Sequence, residues 1–306
     1  MHYSVLLNEV IENLAIKEDG VYVDATVGYA GHSQEILKRL KRGFLFAFDA
    51  DQEAIDFAQR RLSEISSNFK IFHDNFSNLK ENLENDNIEL VDGFLFDLGI
   101  SSPQIDNSER GFSFMREGKL DMRMDNTKEK SAYEVVNNYS QDELTDIFFK
   151  YGEEKLSKVI ARKIVFYRQD KKIETTTELV EVIKMAVGAK YFNEKHPERQ
   201  IFQAIRIEVN EELKVIEKAL PEAIKMLRPG GRICVITFHS LEDRIVKHIF
   251  KQYSEVDEMV KGLPVIPDEY KPLINLINKK PILPSNKELN ENRRSNSAKL
   301  RVIERV

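Results

Sequence analysis

Along the first hundred residues, short apolar runs alternate with longer amphipathic ones. Residues 21–25 read as a strand, 31–40 as a helix and 44–49 as a second strand. Over 52–65 the apolar residues Ile55, Ala58, Leu62 and Ile65 recur at helical spacing, and 69–73 and 93–98 are two more strand-length runs. Strand–helix alternation of this kind predicts a parallel sheet covered on both faces.

The pattern changes from about 106 to 214. Continuous strand signal is scarce there, and helical periods cover 140–150, 154–168, 177–186 and 201–209, with Thr175–Thr177 supplying candidate caps. The earlier pattern then resumes: a helix over 210–227, an Arg228-Pro229-Gly230-Gly231 turn, a buried strand over 232–238 and a helix over 240–253. Five of the nine prolines fall between Pro264 and Pro284, ahead of a last strand at 300–303. The economical organisation is one α/β domain, residues 1–105 with 215–306, interrupted by an all-helical insertion over 106–214.

Composition narrows the class. With 42% apolar residues, 18 Phe and 10 Tyr in 306 residues, the chain can offset the entropy of ordering. One cysteine excludes a disulfide framework and a Cys-rich zinc site. No run approaches the roughly 20 apolar residues that cross a bilayer. The first twenty residues lack a basic start and a small-residue cleavage site, so no secretory leader is expected and a cytoplasmic protein is the default. The net charge of −5 hides a gradient: residues 1–100 hold 9 basic and 18 acidic side chains, whereas 279–306 hold eight basic and three acidic. An acidic body with a basic edge is compatible with RNA, because phosphate contacts are local and screened within about 10 Å. A solvated tail without a partner fits the charge equally well.

The candidate chemistry sits at the strand ends. The first strand runs into Asp24-Ala25-Thr26-Val27-Gly28-Tyr29-Ala30-Gly31-His32-Ser33, where small residues let the backbone approach a ligand. Asp49 closes the second strand, placed for ribose hydroxyls; His73-Asp74-Asn75-Phe76 and Asp97-Leu98-Gly99 follow the third and fourth. Together these polar ends outline a nucleoside-sized crevice. Neither G-x-G-x-x-G nor a phosphate-cradling G-x-x-x-x-G-K-[ST] occurs, which favours S-adenosylmethionine over NAD or ATP. Acids and histidines are scattered without ligand spacing, so no metal is expected.

These residues are familiar. The 24–33 segment resembles the D-x-T-x-G-x-G-G-H-S loop of the bacterial RsmH (MraW) family, the 16S rRNA cytosine-N4 methyltransferases. Further blocks match at Tyr3-Ser4-Val5-Leu6-Leu7, Asp97-Leu98-Gly99-Ile100-Ser101-Ser102-Pro103-Gln104, Arg110-Gly111-Phe112-Ser113-Phe114 and Leu120-Asp121-Met122-Arg123-Met124-Asp125. Others match at 202–210, at Phe238-His239-Ser240-Leu241-Glu242-Asp243-Arg244 and at Ser297-Ala298-Lys299-Leu300-Arg301. The resemblance implies a Rossmann-like S-adenosylmethionine-dependent methyltransferase that acts on the N4 amine of one cytidine in the decoding region of small-subunit rRNA. It implies cofactor contacts at Ala30, Gly31, His32, Asp49, Phe76, Asp97 and Gln104. Ala30 stands where the family often has Gly, and Asn296 where it usually has a basic residue.

Cytosine N4 is a poor nucleophile, because its lone pair is delocalised into the ring. An enzyme must hold the amine in line with the sulfonium methyl and accept its protons. Asp97 and the Ser101-Ser102-Pro103 turn are the expected acceptors, with His239 a further candidate for orienting the base or taking a proton. Methylation at C5 would need a nucleophilic cysteine, and the sole Cys234 lies within an apolar strand. For RNA the candidates are Arg162, Lys163, Arg168, Lys171 and Lys172 on the insertion and Arg293, Arg294, Lys299 and Arg301 on the tail. Two other readings stay open: a small-molecule methyltransferase with the insertion as a lid, and a non-catalytic RNA-binding assembly factor. A monomer and a homodimer are equally compatible with the sequence.

Overall fold

Alternation along the strands sorts side chains into two cores. In the computed structural model, which describes residues 4–256 and 258–306 apart from the side chains of Ser102, Glu258 and Glu269, Phe46 and Phe48 enter one cluster while Leu45 and Ala47 enter another. The same division separates Phe94 and Phe96 from Leu95, and Ile233 and Val235 from Cys234 and Ile236. A strand buried on both faces reads as a near-continuous apolar run, which is why these segments were legible.

The strands are β1 (Val21–Asp24), β2 (Phe44–Asp49), β3 (Phe69–His73), β4 (Val91–Asp97), β5 (Leu227–Thr237), β6 (Ile274–Leu276) and β7 (Lys299–Arg305). They form one sheet in the order β3-β2-β1-β4-β5-β7-β6. The first five are parallel, and β7 runs antiparallel to both β5 and β6. The chain leaves β1 towards β2 on one side and returns to β4 on the other. Such a reversal in strand order opens a crevice at the carboxyl edge, the usual ligand position of a Rossmann-like sheet.

The chain up to Gly99 with Leu213–Val306 forms one compact unit, and Ile100–Glu212 forms a second. The second unit is helical, with Ala132–Asn138, Gln141–Lys150, Ser157–Asp170, Thr176–Val187, Ala189–Lys195 and Pro197–Asn210 around a core that includes Val135, Phe148, Ile164, Ile183 and Ile205. Three of these helices start in capping boxes, Ser131 with Glu134, Ser140 with Glu143 and Thr175 with Glu178.

Several boundaries differ from the expected ones. The helix expected from 154 begins at Ser157, because buried Glu154 instead accepts from the Leu156 amide at 2.7 Å and the Tyr191 hydroxyl at 2.8 Å. The helix expected from 210 begins at Glu212; Glu211 takes a left-handed φ of 53°, and Asn210 ends the preceding helix. The Arg228–Gly231 turn is an irregularity within β5, with a register shift between Val91 and Gly93 opposite it. No helix among the described residues is long and apolar enough to cross a membrane.

Candidate active site

Parallel pairing aligns the ends of β1, β2 and β4, so Asp24, Asp49 and Asp97 arrive at one sheet edge. Their surroundings differ. Buried Asp24 has a protein donor on each oxygen, the Thr26 amide at 3.1 Å and the Ser33 hydroxyl at 2.6 Å. Asp49 organises the neighbouring turns: one oxygen takes the Gly28 amide at 2.8 Å and the other the Asp51 amide at 2.9 Å. Asp97 holds its own backbone against the Thr26 hydroxyl at 2.8 Å, but its Oδ1 is buried and has no hydrogen-bond partner.

Charge follows geometry. Burial pushes Asp24 and Asp49 up to about 6, against the opposing pull of their hydrogen bonds. Asp97 has no hydrogen bond to offset burial, and the nearby acids Asp24 and Glu242 push the same way, so its pKa rises to about 8. The Asp97 side chain retains 26% exposure, so the carboxyl is lodged in the edge yet open on one side.

His32 stands beside it. Its Nε2 lies 3.0 Å from the Val5 carbonyl, which can only accept, so Nε2 carries the proton and Nδ1 presents a lone pair. That Nδ1 is 3.6 Å from Asp97 Oδ2. Burial drives the imidazole down to about 4, so at neutral pH the ring is uncharged and the contact is not an ion pair. His32 is therefore buried behind the loop, held by the N-terminal segment. Ala30 and Gly28 turn that loop with left-handed φ values of 58° and 47°. The Ala30 methyl packs into the apolar core, and a Cβ at Gly31 would lie 1.8 Å from Ser4 Oγ.

The chain belongs to the MraW methylase family. The family model matches residues 1–306, the whole chain. Among solved structures, an rRNA methylase from Streptococcus thermophilus is similar over 98% of this chain and 93% of its own at 13% identity and a TM-score of 0.42. An S-adenosylmethionine-dependent O-methyltransferase from Thermotoga maritima aligns over 100% and 68% at 10% identity and a TM-score of 0.43. TrmN from Thermus thermophilus aligns over 98% and 48% at 10% identity and a TM-score of 0.43.

As an MraW-family methylase, the protein is a methyltransferase whose methyl donor is S-adenosylmethionine. The residues at the sheet edge fit that group. Each Asp49 oxygen accepts one backbone amide and keeps a lone pair for a hydroxyl, and the partnerless Asp97 oxygen is an acceptor awaiting a donor. Phe76 follows β3, half-buried, with its ring edge-on to Phe96 at 5.6 Å, so one side is core and the other available for stacking.

Gln104 and Ser102 belong to the second unit; Gln104 Oε1 accepts from the Ser101 amide at 2.9 Å in a capping box, and the Ser102 side chain lies outside the described residues, as does Tyr3. His239 caps the Ser240–Ser254 helix, its Nδ1 accepting from the Glu242 amide at 3.5 Å. Its ring is 10% exposed, with Nε2 3.2 Å from a Glu242 carboxylate oxygen. Cys234 is buried and its thiol is pushed up by burial, the state of an inert core residue.

Among the expected RNA contacts, several donate to other groups of the protein. Arg168 donates to the carbonyls of Val136, at 2.5 Å, and Tyr139. Arg301 grips Asp243 with both ends of its guanidinium at 2.7 and 3.2 Å, and Lys299 reaches the same acid at 3.4 Å. Lys171 pairs with Glu178, while Lys172 donates to the Asn137 carbonyl at 3.4 Å. Arg162, Arg293 and Arg294 are exposed and Lys163 is half-buried. The sequence placed Asp24 and Thr26 in the candidate loop without a role for either, and assigned none to Glu242. Glu242 was detectable, since an acid three residues after a helix start signals a capping box; here it accepts from the amides of Phe238 at 2.7 Å and His239 at 3.2 Å.

Proposed function

We propose that the protein methylates the exocyclic N4 amine of a specific cytidine in the decoding region of 16S rRNA, within the small ribosomal subunit in the cytoplasm. Family membership supports the reaction class, and the observation that carries the amine reading is the partnerless Oδ1 of Asp97 at the end of β4. S-adenosylmethionine supplies the methyl group on a positively charged sulfur. The acceptor amine must lose its conjugation with the ring as it attacks, which a hydrogen-bond acceptor beside its N–H promotes.

Asp97 is that acceptor. Burial and two neighbouring acids hold its proton, and a positive charge brought to the edge favours the carboxylate. His32, fixed in one tautomer by Val5, is a positioning residue that presents a lone pair to Asp97. Asp49 accepts ribose hydroxyls, Phe76 stacks beside the adenine, and the Ala30-Gly31-His32 loop with Gln104 completes the cofactor contacts. Ser102 is a second acceptor for the amine. Buried Cys234 cannot serve covalent attack at C6, which disfavours C5 methylation.

The test is incubation with labelled S-adenosylmethionine and either 30S subunits or free 16S rRNA from cells lacking the protein, followed by nucleoside analysis. Label is expected in N4-methylcytidine, with turnover by Asp97→Asn lower by about 10²–10⁴-fold, the range for a lost general acid or base. Label on another nucleoside overturns the amine assignment. Turnover of a small molecule with neither RNA labelled overturns the RNA assignment, and RNA affinity without any methylated product leaves an assembly factor.

A further inference from the structure

The Ser157–Asp170 helix carries an unusual face. Between Glu154 and Asp170 the chain has five cations and no acid. One of them, Arg168, is spent on carbonyls. Lys158 and Arg162 stand four residues apart on one side of the helix, both exposed and without an ion-pair partner among the described residues, and exposed Lys155 precedes its first turn. Four residues further along that side stands Phe166, 60% exposed, with Lys163 Nζ 5.5 Å from the centre of its ring. A shallow open groove runs beside it, lined by Val159, Arg162, Lys163, Phe166, Met185 and Ala186. Met185, on the Thr176–Val187 helix, is itself 57% exposed.

Phe166 and Met185 together make an exposed apolar patch rimmed by cations, the kind of surface that marks an interaction site. The combination of a flat ring, a polarisable thioether and a line of cations suits one chemistry: an unpaired base on the ring with its flanking phosphates along the helix. We infer that this groove binds a single-stranded segment of RNA, with Phe166 and Met185 as the base platform and Lys158, Arg162 and Lys163 as phosphate contacts. The inference rests on the RNA reading above and deepens it. An acidic polypeptide would satisfy the cations but has no general need of a stacking ring, so RNA is the occupant the groove favours.

The experiment is fluorescence anisotropy of the full chain with a labelled single-stranded RNA 12-mer across a salt series, with polyglutamate of equal charge as competitor. Phe166→Leu keeps apolar bulk at an exposed position and removes the ring; affinity should fall about 5- to 100-fold with an unchanged salt slope, as expected for the loss of one stacked base. Lys158→Gln/Arg162→Gln should instead flatten the slope by about 1.4, for two single-strand phosphate contacts. Wild-type affinity in both variants, with their unfolding temperatures intact, overturns the groove while leaving methyl transfer untouched. Polyglutamate binding that falls as much as RNA binding in Phe166→Leu overturns RNA as the occupant. A wild-type protein that labels no RNA, yet loses RNA affinity in Phe166→Leu, sinks the proposed reaction and keeps the groove.

Discussion

The two ends of β4 treat a buried acid in opposite ways. At its start, Asp92 accepts from the Val21 amide at 3.0 Å and meets Lys17 at 3.0 Å and Arg228 at 2.6 Å. Burial pushes its pKa up, but the amide and the two cations outweigh it and hold the carboxylate below its ordinary range. Five residues later, Asp97 has no lysine or arginine partner among the described residues, has acids for neighbours and is pushed up to about 8. The first arrangement ties strands together. The second stores an unmet demand for a hydrogen-bond donor or a positive charge, which is how a binding edge differs from a structural one.

The comparison can be broken most forcefully at its structural end. Asp92→Asn removes a charge that two cations and an amide depend on, and should cost about 2 kcal/mol at pH 7, in the range for charge-assisted hydrogen bonds. Chemical denaturation measures it. Because the folded pKa of Asp92 is depressed, its contribution is present above the unfolded carboxylate pKa and is lost as pH falls through the folded one, so the difference between wild type and variant should vanish in acid. A neutral effect at pH 7 would remove the contrast.

A smaller effect is expected at Glu242. Glu242→Gln preserves the capping geometry, since glutamine serves at that position, but deletes one of the acids that raise Asp97. The midpoint of the Asp97 titration should move below 8, read from the pH dependence of stability. An unmoved midpoint would leave burial and Asp24 as the whole cause.

Much of this was legible in the chain because burial on both faces writes itself as apolar runs. The central parallel strands were read from such runs, and the crevice from the acids closing them. The β6 strand was not, since Ile274–Leu276 has three residues and only Ile274 is buried. The Ala189–Lys195 helix carries too few turns to show a period. In the site, a sequence displays charge but not what answers it. Arg168 and Arg301 read as free cations until the fold supplied carbonyls and Asp243, and Asp24 read as one loop acid among several until its hydroxyl and amide donors were in place.

The central claim is that Asp97 is a buried acid kept without a partner. Its direct test is the stability of the wild-type protein and Asp97→Asn between pH 6.5 and 8, without cofactor. A raised folded pKa makes stability greatest below the unfolded value and removes it as pH rises through about 8. His32, depressed to about 4, acts in the opposite sense while the unfolded imidazole titrates near 6.5, and Asp24 and Asp49, raised to about 6, still contribute at the acid end. Both proteins share these contributions, so the difference between them isolates Asp97. Relative to the variant, wild-type stability should fall by about 1.5 kcal/mol across the window, within the limit of about 2 kcal/mol that one proton sets over that range. Asp97→Asn should lose that slope and be the more stable protein at pH 8. Equal slopes in both, or a variant weaker than wild type at pH 8, would show that Asp97 is a satisfied structural carboxylate and contradict the account.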